Sequence, residues 1–198
     1  MNILYPKIRL RLVPTMLGYA ALGGVLAGLY GVLHDQITYS ISPEYFTNLK
    51  FDQFHWADLG LPQRIFVGEI GFLATWWVGF FAAWFLARIT VPALPPEVAF
   101  RYALRGFAIV FAFGFAGGVV GYVLGLIRLT NSDYSSWDDF RLCYDLTDVP
   151  SFVRVAYIHN AGYLGGLIGA IIAILYVRRV KNRYQARLNQ SGIREASR

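Results

Sequence analysis

The sequence predicts an all-α integral membrane protein: an antiparallel four-transmembrane-helix bundle, N-in/C-in, with a short interfacial helix in the first outer loop. Three observations predict it. Of 198 residues, 56% are hydrophobic and only 15% charged, too apolar for a soluble domain with a polar surface. Four apolar runs reach the roughly 20 helical residues needed to cross a hydrocarbon core of about 30 Å. These are Leu12 to Leu33, Ile65 to Val91, Leu104 to Ile127 and Phe152 to Val177. Lysine and arginine, finally, fall mostly on one side of those runs.

The first run follows Lys7, Arg9 and Arg11, as a secretory signal would. It has the length of a full span and no clear small-residue cleavage site, so it reads as a retained anchor. Outer loops are expected over residues 34–64 and 128–151, and a basic cytoplasmic tail over 178–198. All of this belongs to a single membrane domain, 1–198.

Orientation follows from the positive-inside rule, which weighs Lys and Arg in the short connections. Lys7, Arg9, Arg11, Arg88, Arg101, Arg105 and the run from Arg178 to Arg198 lie on one side. Only Lys50, Arg64, Arg128, Arg141 and Arg154 lie opposite. The formal charge of +6 is therefore a topology signal. The tail has a single aromatic, Tyr184, and no fold of a nucleic-acid binder, and suits anionic lipid headgroups. Compactness and charge bias point to a bacterial inner membrane.

The connections carry their own signals. Ser42-Pro43-Glu44 has the chemistry of a helix start. Tyr45, Phe46, Leu49, Phe51, Phe54 and Trp56 follow it, which suits an interfacial amphipathic helix or a lid over the bundle. Pro92, Pro95 and Pro96 end the second helix, and Glu97 opens the third. The stretch from Asn131 to Asp139 is turn-rich and acidic but lacks the spacing of a calcium loop. Asp148 and Pro150 suit the start of the fourth helix. Cys143, the single cysteine, has no partner for an internal disulfide.

Helix packing is read from small residues, since close backbone approach holds spans together in lipid. Gly24 and Gly28 mark the first helix, Gly117, Gly121 and Gly125 the third, and the overlapping pairs Gly162 with Gly166 and Gly165 with Gly169 the fourth. The second carries Trp76, Trp77, Phe80 and Trp84, a face for lipid, a pigment or another membrane subunit.

Ionisable residues inside spans are costly to bury and mark sites. His34, Glu69 and His159 fall toward the outer ends, with Asp35, Arg64, Arg154 and Asn160 in the same layer. On 3.6-residue periodicity His159 points inward with Gly162, Tyr163 and Gly166, and His34 sits at the outer end of its span, about 10 Å from the depth of His159. Three chemistries fit. His34, Glu69 and His159 could ligate a metal, an axial histidine could hold haem or a pigment, or the layer could handle protons or ions. The alternative is a structural clamp in which Glu69 pairs with Arg64 or Arg154. Hydrolase, phosphate-loop and zinc-protease motifs are absent, so no catalytic residues are assigned, though Glu69 and His159 could act as acid and base. The favoured expectation is a non-catalytic membrane subunit or accessory factor. A small transporter or channel is the rival, and an intramembrane enzyme or haem- or pigment-binding protein the second alternative.

Overall fold

The computed structural model describes residues 9–131 and 133–196; Lys7, Ser132 and Arg198, counted above, lie outside them. Four long helices dominate: α1 (Val13–Ile41), α2 (Gln63–Thr90), α3 (Pro96–Asn131) and α4 (Val149–Ala196). Each is long and apolar enough to cross a membrane, and their outward faces expose rows of Leu, Ile, Val and Phe. Such a surface belongs in lipid. The protein is a multi-pass, membrane-spanning helical bundle.

Proline and capping chemistry set the helix ends. Pro14 occupies the first turn of α1, where its missing N–H costs nothing. At the far end Pro43 forces Ser42 out of the helical region, to φ −142° and ψ 98°. α1 therefore passes the end of the apolar run at Leu33 and continues to Ile41. His34, Asp35, Gln36 and Thr38 are polar, but none of them breaks a helix, so they lie within α1 rather than in a loop. Pro96 begins α3 with Glu97 in its first turn. The Asp148 carboxylate accepts the Ser151 N–H at 3.1 Å and so caps α4. The basic segment after Val177 continues the same helix to Ala196.

α1 packs along α2 and α3 along α4, far more extensively than either pair meets the other. Within each pair one residue number rises as the other falls. A Cβ on Gly23 would strike Ala83 and the Gly79 carbonyl, and one on Gly31 would strike the Gly71 carbonyl and Thr75. The Thr75 hydroxyl donates to the Ala27 and Gly71 carbonyls, both at 2.8 Å. In the second pair Gly117 faces Ala161, Gly121 faces Tyr157, and Gly125 faces Arg154.

Most of the expected glycines thus sit at close approaches. Gly24 and Gly28 meet Trp76 and Phe72, and Gly169 meets Phe113. Gly166 is different, because a Cβ there would meet nothing within 4 Å. Gly162 makes only ordinary contact; of the two pairs expected on this helix, Gly165 with Gly169 does the packing, Gly165 being jammed against the Phe113 carbonyl. The second helix also departs from its reading as a purely bulky face. Gly71, Thr75, Gly79 and Ala83 line its contact with α1, while Trp76 and Trp77 turn outward and Phe80 and Trp84 are half-buried.

Two buried clusters fill the interior. One, at the end bearing the long connections, contains Phe46, Val67, Phe152 and Val155. The other, towards Pro95, contains Leu86, Ala103, Phe107, Ala173 and Val177.

Candidate functional site

The connection after α1 supplies the roof of the site. Residues Tyr45–Lys50 are wound as a π-helix, with the Phe51 N–H donating to the Phe46 carbonyl, a geometry common near functional sites. Tyr45, Phe46 and Leu49 are buried in the cluster beneath, whereas Trp56 is exposed. The segment therefore lies over the bundle as a lid, with Asp52, Gln53, His55 and Trp56 exposed. Ser42 does not cap it: the Ser42 hydroxyl is buried without a hydrogen-bond partner among the described residues. Glu44 turns instead to α4, where its carboxylate accepts the Asp148 N–H at 2.9 Å and the Thr147 N–H at 3.1 Å, and also contacts the Thr147 hydroxyl. Asn48 adds a second tether, its amide donating to the Tyr144 carbonyl at 3.0 Å.

Beneath this lid α1 and α4 meet through His34, Asp35 and His159. One ligand atom from each lies within 4.8 Å of the others. The His159 ring, only 4% exposed, sits edge-to-face on His34 with centroids 4.9 Å apart. Tyr45 stacks on the same ring, also with centroids 4.9 Å apart. Its Nε2 lies 3.9 Å from Asp35 Oδ1 and 3.4 Å from the Thr38 hydroxyl, and its Nδ1 lies 3.4 Å from the Tyr163 hydroxyl. Tyr30 stacks against His34.

Charge near the site comes from the lid. Burial lowers the pKa of the Lys50 ammonium, and the Asp35 carboxylate pushes it partly back up. Burial raises that of the Tyr45 phenol, and Tyr163 and Asp35 act in the same direction. Lys50 also lies over the Tyr45 ring, 5.8 Å from its centroid.

This arrangement revises the expected layer. His34 and His159 are not separated in depth by about 10 Å. Both helices extend past their apolar runs at this end, so each histidine lies about two to three turns from its helix end. Their edge-to-face contact leaves no gap for a porphyrin plane between them. Glu69 does not join them: it is half-buried on α2, with one carboxylate oxygen buried and without a hydrogen-bond partner among the described residues.

The expected clamp is not formed among the described residues. Arg64 donates to Gln36 Oε1 and the Ser40 hydroxyl, both at 3.2 Å, and lies over the Tyr39 ring. Arg154 lies over Tyr122, and Asn160 is exposed.

Sequence reasoning placed Asp35 in the polar layer without making it a metal ligand, and put Tyr163 on the face of His159, but it missed Thr38 and Tyr45. Thr38 follows His34 by four residues and Tyr163 follows His159 by four, one helical turn in each case. That periodicity was available once α1 was carried past Leu33. No protein-family model, curated protein or solved structure matches the chain.

Proposed function

We propose that this chain is a non-catalytic subunit or accessory factor of a larger membrane assembly, carrying a lidded polar site at the outer end of its bundle. In this reading the bundle is antiparallel, N-in/C-in, in a bacterial inner membrane. The long connections face outward, and the part of α4 after Val177 projects about 28 Å on the cytoplasmic side, its Lys and Arg side chains towards anionic headgroups.

The observation that carries the reading is the enclosure of the site. Tyr45 covers His159 from the loop end, and the interior towards Pro95 is the apolar cluster around Leu86 and Phe107. Two further pockets, one beside Tyr19 and Phe107 and one beside Phe85 and Ile174, are lined by apolar and aromatic side chains. A transporter or channel needs a wet route leading inward from the site, and these surroundings do not supply one. The outward face of α2 supports a partner. Trp76, Trp77, Phe81 and Phe85 are clustered and exposed there, whereas exposed aromatics on the other long helices, such as Phe115, Tyr122 and Tyr163, are scattered among aliphatic positions such as Leu164, Leu167 and Ile171.

The test is native mass spectrometry of the chain extracted in mild detergent, before and after Trp77→Ala with Phe81→Ala. A complex of fixed stoichiometry that the double variant dissociates is expected. A lone monomer that moves a solute across liposomes would overturn the reading.

A further inference from the structure

The polar cluster beneath the lid has the wrong spacing for an ion pair. A charge-assisted N–H···O contact closes to about 2.8 Å, yet His159 Nε2 stands 3.9 Å from Asp35 Oδ1. The other contacts of His159, at 3.4 Å to Thr38 and to Tyr163, lie beyond the usual range of strong hydrogen bonds. Among the described residues no hydrogen bond reaches the Asp35 carboxylate, which is only 5% exposed. A buried carboxylate in that condition is costly inside a membrane bundle. The three groups are gathered, but they do not satisfy one another.

We infer that His34, Asp35 and His159 together bind one divalent transition-metal ion of the zinc and iron class. This rests on reading the lidded cluster as a site and names what the site takes. Two imidazoles with one carboxylate is a donor set for zinc or iron, whereas calcium and magnesium favour all-oxygen shells. Metal-to-ligand bonds of about 2.0–2.2 Å place donor atoms roughly 3–4 Å apart around an ion. The Asp35 and His159 atoms already meet that spacing, and the 4.8 Å limit for the full set closes by small side-chain rotations.

The surroundings favour the same ligand atoms. Nε2 of His159 is the ring nitrogen beside Asp35 Oδ1 and would take the ion in place of its weak Thr38 contact, with the Tyr163 hydroxyl near Nδ1 as the outer partner usual for a ligating histidine. Tyr30 and Tyr45 stack on the two imidazoles and restrain their planes. A dication would neutralise the Asp35 charge and replace the weak contacts with bonds. Three protein ligands would leave a further coordination position for water or a small anion.

The experiment uses the full chain in detergent, stripped with chelator and dialysed separately against zinc and, without oxygen, ferrous iron. Bound metal is counted by plasma mass spectrometry after gel filtration. About one equivalent per chain is expected for at least one metal. His34→Ala, Asp35→Asn and His159→Ala should each lower it by about tenfold or more, while Glu69→Gln retains it. A small fraction of an equivalent in the unaltered chain after both dialyses, or full retention in His159→Ala, overturns the inference.

Should the ligand variants fail to fold, cobalt(II) titrated into the stripped unaltered chain decides. Intense visible absorption of low-coordinate cobalt, abolished by zinc, supports the site; the weak spectrum of hydrated cobalt overturns it. A metal-free chain that still forms its complex refutes this inference alone. A metal-loaded chain that proves to be a solute-moving monomer refutes the accessory reading alone.

Discussion

The Glu44 carboxylate accepts the backbone N–H of Asp148 at 2.9 Å, so the lid segment caps a helix that begins more than a hundred residues later in the chain. Anions at a helix N-terminus complement the dipole and satisfy orphan donors, and here the anion also closes the site. Glu44→Ala should destabilise the protein by about 1 kcal/mol and loosen the lid over His159. Thermal unfolding in detergent measures the first effect, and hydrogen exchange at Tyr45 and Phe46 the second. An unchanged unfolding midpoint with unchanged exchange would sink the argument.

Glycines at the helix contacts should differ sharply in tolerance. A Cβ on Gly121 would stand 2.7 Å from the Tyr157 carbonyl carbon and 2.8 Å from the Ile158 Cα. That is backbone, which yields only by separating the helices. Gly121→Ala should cost about 1–3 kcal/mol, whereas Gly166→Ala, with open space around its Cβ, should change stability by less than about 0.5 kcal/mol. Unfolding titrations with a denaturing detergent compare the two variants. Equal effects would refute the packing described.

Glu69→Gln separates the clamp expected from sequence from the arrangement found. A clamp would make the substitution destabilising, since it would strand an arginine. With Arg64 on Gln36 and Ser40 and a Glu69 oxygen without a hydrogen-bond partner among the described residues, the variant should be as stable as the parent or more so. A lowered thermal midpoint would count against this placement.

The acidic connection before α4 should respond to pH in one direction only. The Ser135 N–H and hydroxyl donate to Asp133 Oδ1 at 3.0 and 2.8 Å and hold that carboxyl below the usual range, with Arg128 adding to the shift. Because the folded pKa is depressed, the turn keeps its full contribution above the ordinary carboxylate value of about 3.9. It loses that contribution as pH falls through the lower folded value. The Ser135 amide resonance should therefore hold steady from neutrality to about pH 4 and move only below it. Movement between pH 6 and pH 5, as rough bounds around histidine titration, would show that another group governs the turn.

Much of the fold was legible because its determinants are local. Runs of apolar residues announce spans, Pro43 and Pro96 act on their immediate neighbours, and Asp148 caps the turn beside it. His159 could be turned inward from helix periodicity alone. What escaped depends on distance or on a category drawn too narrowly. The Glu44 tether joins segments with no sequence pattern in common. The Gly71, Thr75, Gly79, Ala83 stripe does repeat every four residues, but the aromatics between its members mask it and only alternate members are glycine. The site was misassembled because the span end at Leu33 stood in for the helix end at Ile41. That choice shifted His34 relative to His159 and left Glu69 as the nearest acid in place of Asp35.

The uneven packing of the four helices has a mechanical consequence. Backbone interlocks at Gly31 with Gly71 and at Gly121 with Tyr157 make each hairpin a stiff plank, and the planks share a thinner joint. His34 and His159 stand on opposite sides of that joint, one on each plank. Whatever draws the two imidazoles together therefore acts as a rivet through the whole bundle, and whatever parts them lets the halves flex as two bodies.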